Sequence, residues 1–199
     1  TETMPLTGDF SFERDPHRYT VGTTVVPSVT LIVRAGGGFD RKWFKAEYLE
    51  RGTAVHAATM QYDLTGDHPT DLPADWQPYF DAYVRFLSEV PCKWTMIEQP
   101  KVHRGHRFAG TIDRYGTVQR ASAILEIKTG YAAPWHGVQL AGQDILLNKA
   151  RHVRKRLAVY LRKDGRYQLR EHDDPGDYLR FMSALTDYWQ ARKEQADGR

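Results

Sequence analysis

Two short stretches hold the side chains best suited to bond-breaking chemistry. Glu126-Ile127-Lys128 sets a carboxylate and an ammonium two residues apart. On an extended strand both project from one face, while Leu125 and Ile127 project from the other and, with Ala123, set the core face. The pair lies just before the strand breaker Gly130. Taken alone, a Glu-x-Lys pair is more often a solvated face carrying an ion pair. Upstream, Phe108-Ala109-Gly110-Thr111-Ile112-Asp113 puts Asp113 at the end of the preceding strand, after a glycine that permits close approach. Neighbouring strands can bring Asp113 and Glu126 together. Two close carboxylates repel unless a proton or a divalent cation compensates, and hard oxygen ligands suit Mg²⁺ or Mn²⁺. The alternative use of Asp113 is to open a turn, Asp113-Arg114-Tyr115-Gly116.

The elements that must position these groups follow from periodicity. His17–Val21 and Thr23–Val26 are β-branched and aromatic runs around Gly22, a short hairpin ended by Pro27-Ser28. Between Asp40 and Met60, apolar and small residues recur at helical spacing, and a second helix covers Asp75 to Glu89, closed by Pro91. Three strands are expected at Thr95–Val102, Arg107–Tyr115 and Ser122–Lys128, then a helix over Pro134–Lys149. A hairpin of Arg156–Arg162 and Arg166–Arg170 turns through Asp164-Gly165, and a final helix starts at Asp174-Pro175. This order predicts an α/β (α+β) fold with a central mixed sheet flanked by helices.

The 199 residues fit one domain, and no linker-like stretch or fixed repeat divides them. The chain has 41% hydrophobic and 12% aromatic residues with no apolar run of membrane length, so a soluble protein with no membrane partner is expected. One cysteine, Cys92, closes no disulfide within the chain, and the amino terminus lacks the order of a signal peptide, which points to the cytoplasm. Net charge +3 and pI near 8.9 are compatible with nucleic acid without arguing for it. His103 and His106 lack a second ligand pair for zinc, too few cysteines exist for an iron–sulfur cluster, and no Walker-type phosphate loop is present.

Gly110-Thr111-Ile112-Asp113, Glu126-Ile127-Lys128-Thr129-Gly130 and Gln139 on the following helix resemble the motifs of the RecB-like branch of the PD-(D/E)XK nuclease superfamily. Arg51-Gly52-Thr53-Ala54-Val55-His56 is similar to that branch's histidine motif. His17-Arg18-Tyr19 and Val26-Pro27-Ser28-Val29-Thr30 resemble the openings of bacteriophage exonucleases and of the mitochondrial genome maintenance exonuclease. The motifs run in order from about residue 17 to 140.

The resemblance implies a restriction-endonuclease-like core, with an N-terminal hairpin and helical arch (15–90), a catalytic core (93–172) and a C-terminal helix (174–193). It implies that Asp113, Glu126 and the backbone carbonyl of Ile127 hold Mg²⁺ or Mn²⁺, with His56 as a nitrogen ligand and Glu98 as a further acid near the metal. Lys128 would position the attacking water and stabilise charge on the scissile phosphate, with Gln139 beside it. Arg51, Thr53, Trp43, Thr129, Gln139 and Gln143 would contact DNA, Gln143 standing where the family's pattern has tyrosine. His56 could instead be a packed helix residue, and Glu98 a surface ion pair. The basic clusters Arg41-Lys42-Trp43-Lys45 and Arg151-Arg154-Lys155-Arg156 are readable as phosphate contacts or as solvated faces.

The implied function is a metal-dependent DNA exonuclease of phage type, working on DNA ends in recombination, repair or end processing, alongside recombination or replication proteins. A structure-specific or restriction-type endonuclease with the same centre, and a non-catalytic DNA-binding module, are the alternatives.

Overall fold

The computed structural model describes residues 7–37, 46–147 and 154–197. Its first elements form a small antiparallel sheet of β1 (Phe10–Glu13), β2 (Arg18–Val21) and β3 (Thr24–Val26). The β2–β3 hairpin follows from the sequence pattern, but β1 does not, and it pairs Phe10 with Val21 and Glu13 with Arg18. Tyr19, Val21 and Val26 bury against Ala109, whose N–H donates to the Pro27 carbonyl at 2.9 Å. Ser28 then starts α1 (Val29–Ala35), its hydroxyl accepting from the Leu31 N–H at 3.1 Å. The Pro27-Ser28 pair therefore ends the hairpin and also caps a helix that the sequence reading does not include.

Two helices follow, α2 (Ala46–Thr65) and α3 (Gln77–Glu89). Pro78 is tolerated in the first turn of α3, and Tyr79, Phe80, Tyr83 and Phe86 make its buried stripe. The main sheet begins with the meander β4 (Cys92–His103), β5 (Phe108–Val118) and β6 (Ala121–Thr129). The crossover helix α4 (Trp135–Leu146) leads to β7 (Lys155–Leu161), parallel to β6, and β8 (Tyr167–Glu171) returns antiparallel before α5 (Gly176–Asp197). The result is a five-stranded mixed sheet, order β4-β5-β6-β7-β8, flanked by helices, in agreement with the expected fold class.

Both faces of the central strands β5, β6 and β7 are buried. Ala123, Leu125 and Ile127 pack with Tyr83 and Phe86 of α3, while Ile124 packs on the opposite side with Leu140 of α4 and Phe181 of α5. Glu126 and Lys128 share the side of Ile124, so they face α4 and not open solvent. A near-continuous apolar run such as Ala-Ile-Leu marks this kind of doubly covered strand.

Two expectations are corrected here. Asp113 is not at a strand end, and Asp113-Arg114-Tyr115-Gly116 is not a turn, because β5 continues to Val118. The chain reverses instead at Gln119 and Arg120, with φ of 49° and 70°, which suits a primed hairpin turn without its usual Asn-Gly sequence. The glycine at position 142 of α4 lets α5 approach closely, since a Cβ there would collide with the ring of Phe181.

Candidate functional site

The site exists because β5 and β6 part company. Their pairing runs from Val118 opposite Ala121 to Arg114 opposite Leu125. One residue further, Asp113 enters the ladder with its side chain: Oδ2 accepts from the Ile127 N–H at 2.8 Å. The Ile127 carbonyl faces His56 of α2, with Nε2 at 3.1 Å. Both backbone polar groups of Ile127 are thus turned to the opening, where a carboxylate and an imidazole meet them.

On the adjoining strand, Glu98 adopts φ 44°, in the left-handed region that costs a residue with a side chain roughly 1 kcal/mol or more. Its Oε1 lies 2.9 Å from His56 Nδ1 and accepts from Arg114 Nη1 at 3.0 Å. His56, Glu98 and Asp113 each offer a ligand atom, and these atoms lie within 4.8 Å of one another. Glu98 is 10% exposed and held between the fully buried Arg114 and the half-buried His56, so it does not form the surface ion pair considered for it.

Glu126 stands apart from that group of three. Its Oε1 accepts from Lys128 Nζ and from Gln139 Nε2, each at 2.6 Å, and its Oε2 accepts from Gln143 Nε2 at 2.5 Å. A carboxylate offers about four lone-pair sites, so three donors leave roughly one for a further partner. Lys128 is fixed in turn by the Gln139 Oε1 at 3.0 Å and by the ring of Trp135, 5.2 Å from Nζ. Gln139 and Gln143, one turn apart on α4, clamp the buried Glu126 from above.

Charge is tightly constrained. Burial opposes a charged His56, but the carboxylates of Asp113 and Glu98 outweigh it and lift its pKa to about 9. Burial pushes Asp113 up to about 8, with the Glu126 carboxylate adding to the rise and His56 opposing it. Burial works against the Glu98 carboxylate too, yet His56 and Arg114 hold it below the usual range. With both ring nitrogens facing oxygens, His56 reads as an imidazolium donating twice; the Ile127 carbonyl can only accept.

Three oxygens and one nitrogen in this arrangement suit a borderline-hard divalent cation such as Mn²⁺ or Mg²⁺. Holding it needs Asp113 as carboxylate and a lone pair on His56. Both forms become more populated as pH rises, through about 8 for Asp113 and about 9 for His56. Mn²⁺ affinity should therefore climb from about pH 7 to about pH 9, with protons released on binding. Isothermal titration in two buffers of different ionisation enthalpy counts those protons. An affinity flat across that range removes both groups from the ligand set.

These groups line a cleft of about 750 Å³ walled by α2, the small sheet and α4. Arg51 lies in it between the rings of Tyr48 and Tyr79, 4.9 and 4.7 Å from its guanidinium, and donates to the Thr129 carbonyl at 3.0 Å. Thr129 and Thr53 also line the cleft, though the Thr53 hydroxyl bonds back to the Leu49 carbonyl of its own helix. Gln143 is buried and turned to Glu126 and the Thr111 carbonyl, so its amide serves the carboxylate; the expected DNA contact is not what this side chain is arranged for. Trp43, with Arg41, Lys42 and Lys45, lies outside the described residues, as does Arg151. Arg154, Lys155 and Arg156 pair with Asp144, Glu171 and Asp177, so they do not form a phosphate-binding row.

The residue missed by sequence reasoning is Arg114. It is fully buried and donates to Asp63 Oδ2 at 2.6 Å, to Glu98, to the Asp113 carbonyl at 2.7 Å and to the Thr59 hydroxyl at 3.1 Å. Its signal in the sequence is only its place beside Asp113. Trp135 against Lys128 and the Tyr19 hydroxyl, 2.9 Å from that of Thr111, were likewise not foreseen.

No protein-family model matches the chain, and no curated protein matches it closely enough to count as a relative. Among solved structures it is similar to an alkaline exonuclease from Laribacter hongkongensis, at 17% sequence identity and a TM-score of 0.37, over 84% of this chain and 92% of that one. No helix among the described residues is long and apolar enough to cross a membrane.

Proposed function

We propose that this chain is a metal-dependent deoxyribonuclease of the PD-(D/E)XK type that hydrolyses phosphodiester bonds at DNA ends. The observation that carries the reading is the convergence, at one parting of two strands, of Asp113, the Ile127 carbonyl, His56 and Glu98 beside a clamped Glu126–Lys128 pair. Buried acids crowded together without enough cations of their own are a costly arrangement, and perturbed acids in a cleft are candidates for catalysis.

His56, Asp113, Glu98 and the Ile127 carbonyl would hold the cation, with Glu126 using its remaining lone pair. Bound there, a divalent metal would acidify a water and polarise a phosphoryl oxygen. The protein's own part is positional. Glu126 and Gln139 hold the Lys128 ammonium at the cleft floor, where it can stabilise charge developing on a phosphate and keep a water oriented. Gln143 keeps Glu126 from turning away. Arg51, stacked between two tyrosines, offers a preorganised cation to a flanking phosphate.

The test is digestion of end-labelled linear DNA, single- and double-stranded, with Mg²⁺, Mn²⁺ or chelator. Linear DNA should shorten with either metal, at least as fast with Mn²⁺, and stay intact with chelator. Closed circles of both kinds should resist. Efficient cutting of circles moves the protein to the endonucleases, and intact DNA throughout ends the nuclease reading.

A further inference from the structure

The segment between β6 and α4 carries Tyr131 at the rim of the cleft, three positions beyond Lys128. Tyr131 is 70% exposed. One face is already occupied: the guanidinium of Arg162 lies 4.0 Å from the ring centroid. Arg162 is itself anchored, donating to Gln168 Oε1 at 2.9 Å across the β7–β8 hairpin. The backbone leading into Tyr131 is tied down as well, the Gly130 N–H donating to the Leu161 carbonyl at 3.0 Å. A ring at the rim of the cleft with an anchored guanidinium over one face offers a flat aromatic surface next to a positive charge.

We propose that Tyr131, backed by Arg162, is a stacking platform for one base of the substrate strand next to the scissile phosphate. The proposal rests on the nucleic-acid reading above and adds a base subsite to it. Every nucleobase has a π-face, so such a platform tolerates sequence. The guanidinium behind it favours the polyanionic strand. Three residues of chain span at most about 11 Å, which keeps the ring within reach of a nucleotide flanking the phosphate at Lys128.

The experiment measures binding of a fluorescein-labelled single-stranded oligonucleotide by anisotropy, in chelator to prevent cleavage. A companion set carries one abasic residue moved stepwise along the strand. Tyr131→Ala should weaken binding about tenfold, Tyr131→Trp should retain it, and Arg162→Gln should fall between. At one abasic position the wild type should lose a similar factor, while Tyr131→Ala should lose nothing more. Unchanged binding by Tyr131→Ala, or equal abasic losses in wild type and variant, overturns the platform and leaves the nuclease reading standing. If folded wild-type protein binds none of these oligonucleotides, the platform falls, and digestion of double-stranded DNA with metal decides the nuclease reading on its own.

Discussion

Asp113→Asn should lower DNA cleavage by at least about 100-fold while leaving the protein folded, because it removes a charge and keeps a shape. The asparagine carbonyl can still accept from the Ile127 N–H that Asp113 Oδ2 now takes at 2.8 Å. What is lost is the carboxylate that a cation requires, and single losses of electrostatic stabilisation at phosphoryl or acyl centres cost about 10²–10³ in rate. Stability should move the other way above neutral pH in the absence of metal. The folded-state pKa of Asp113, about 8, lies above its unfolded value, so the folded protein binds more protons and stability falls as pH rises from about 4 through about 8. An asparagine has no such proton to lose. A thermal melt at pH 8.5 with chelator should therefore show the variant at least as stable as the wild type, and activity within a few-fold of wild type would remove Asp113 from the reaction. Glu126→Gln is a poorer probe: its new amide would face the donors of Lys128, Gln139 or Gln143, mixing loss of charge with misfit.

How far this site is legible in the sequence differs from residue to residue. Glu126 and Lys128 follow from strand parity alone, since period two puts them on one face whatever surrounds them. The face itself was harder to assign, because Ala123, Leu125 and Ile127 look like the core side until the equally buried Ile124 appears on the other. Asp113 is legible as chemistry but not in its position, because Asp-Arg-Tyr-Gly has the composition of a turn and the actual reversal at Gln119-Arg120 has none of its usual residues. His56 and Gln139 sit on helices whose periodicity is clear, yet only the parting of β5 from β6 brings an α2 side chain to the Ile127 carbonyl. The role of Glu98 is not legible for a related reason. Its left-handed backbone turns the side chain inward, and no propensity rule predicts φ 44° for a glutamate in a strand.

Arg114→Met should destabilise the protein by about 3–5 kcal/mol, the usual cost of removing one partner from a buried ion network. Charged side chains are almost never fully buried unless paired, and Arg114 is paired with Asp63 and Glu98 while also holding the Asp113 carbonyl and the Thr59 hydroxyl. Without it, among the described residues Asp63 Oδ2 keeps the Tyr83 hydroxyl at 2.6 Å, and Glu98 keeps His56. Against a typical total of about 5–15 kcal/mol, that loss is severe, and for a chain of this length it corresponds to roughly 6–20 °C in Tm. Arg114→Lys should not rescue it, since one ammonium cannot reproduce a planar fork that serves four acceptors. The effect on the proposed metal centre is separable from the effect on folding. Asp63→Leu combined with Arg114→Met removes both charges of the 2.6 Å pair and should recover part of the lost Tm, because two apolar side chains leave no buried ion there. Glu98 would remain without Arg114 in that double variant, so Mn²⁺ affinity should stay weakened even where Tm recovers. Thermal melts and Mn²⁺ titrations on both variants read the two effects independently. A single Arg114→Met variant melting within about 2 °C of wild type would mean that the buried network relaxes at little cost, and that Glu98 is held at the cleft by its own backbone and His56 alone.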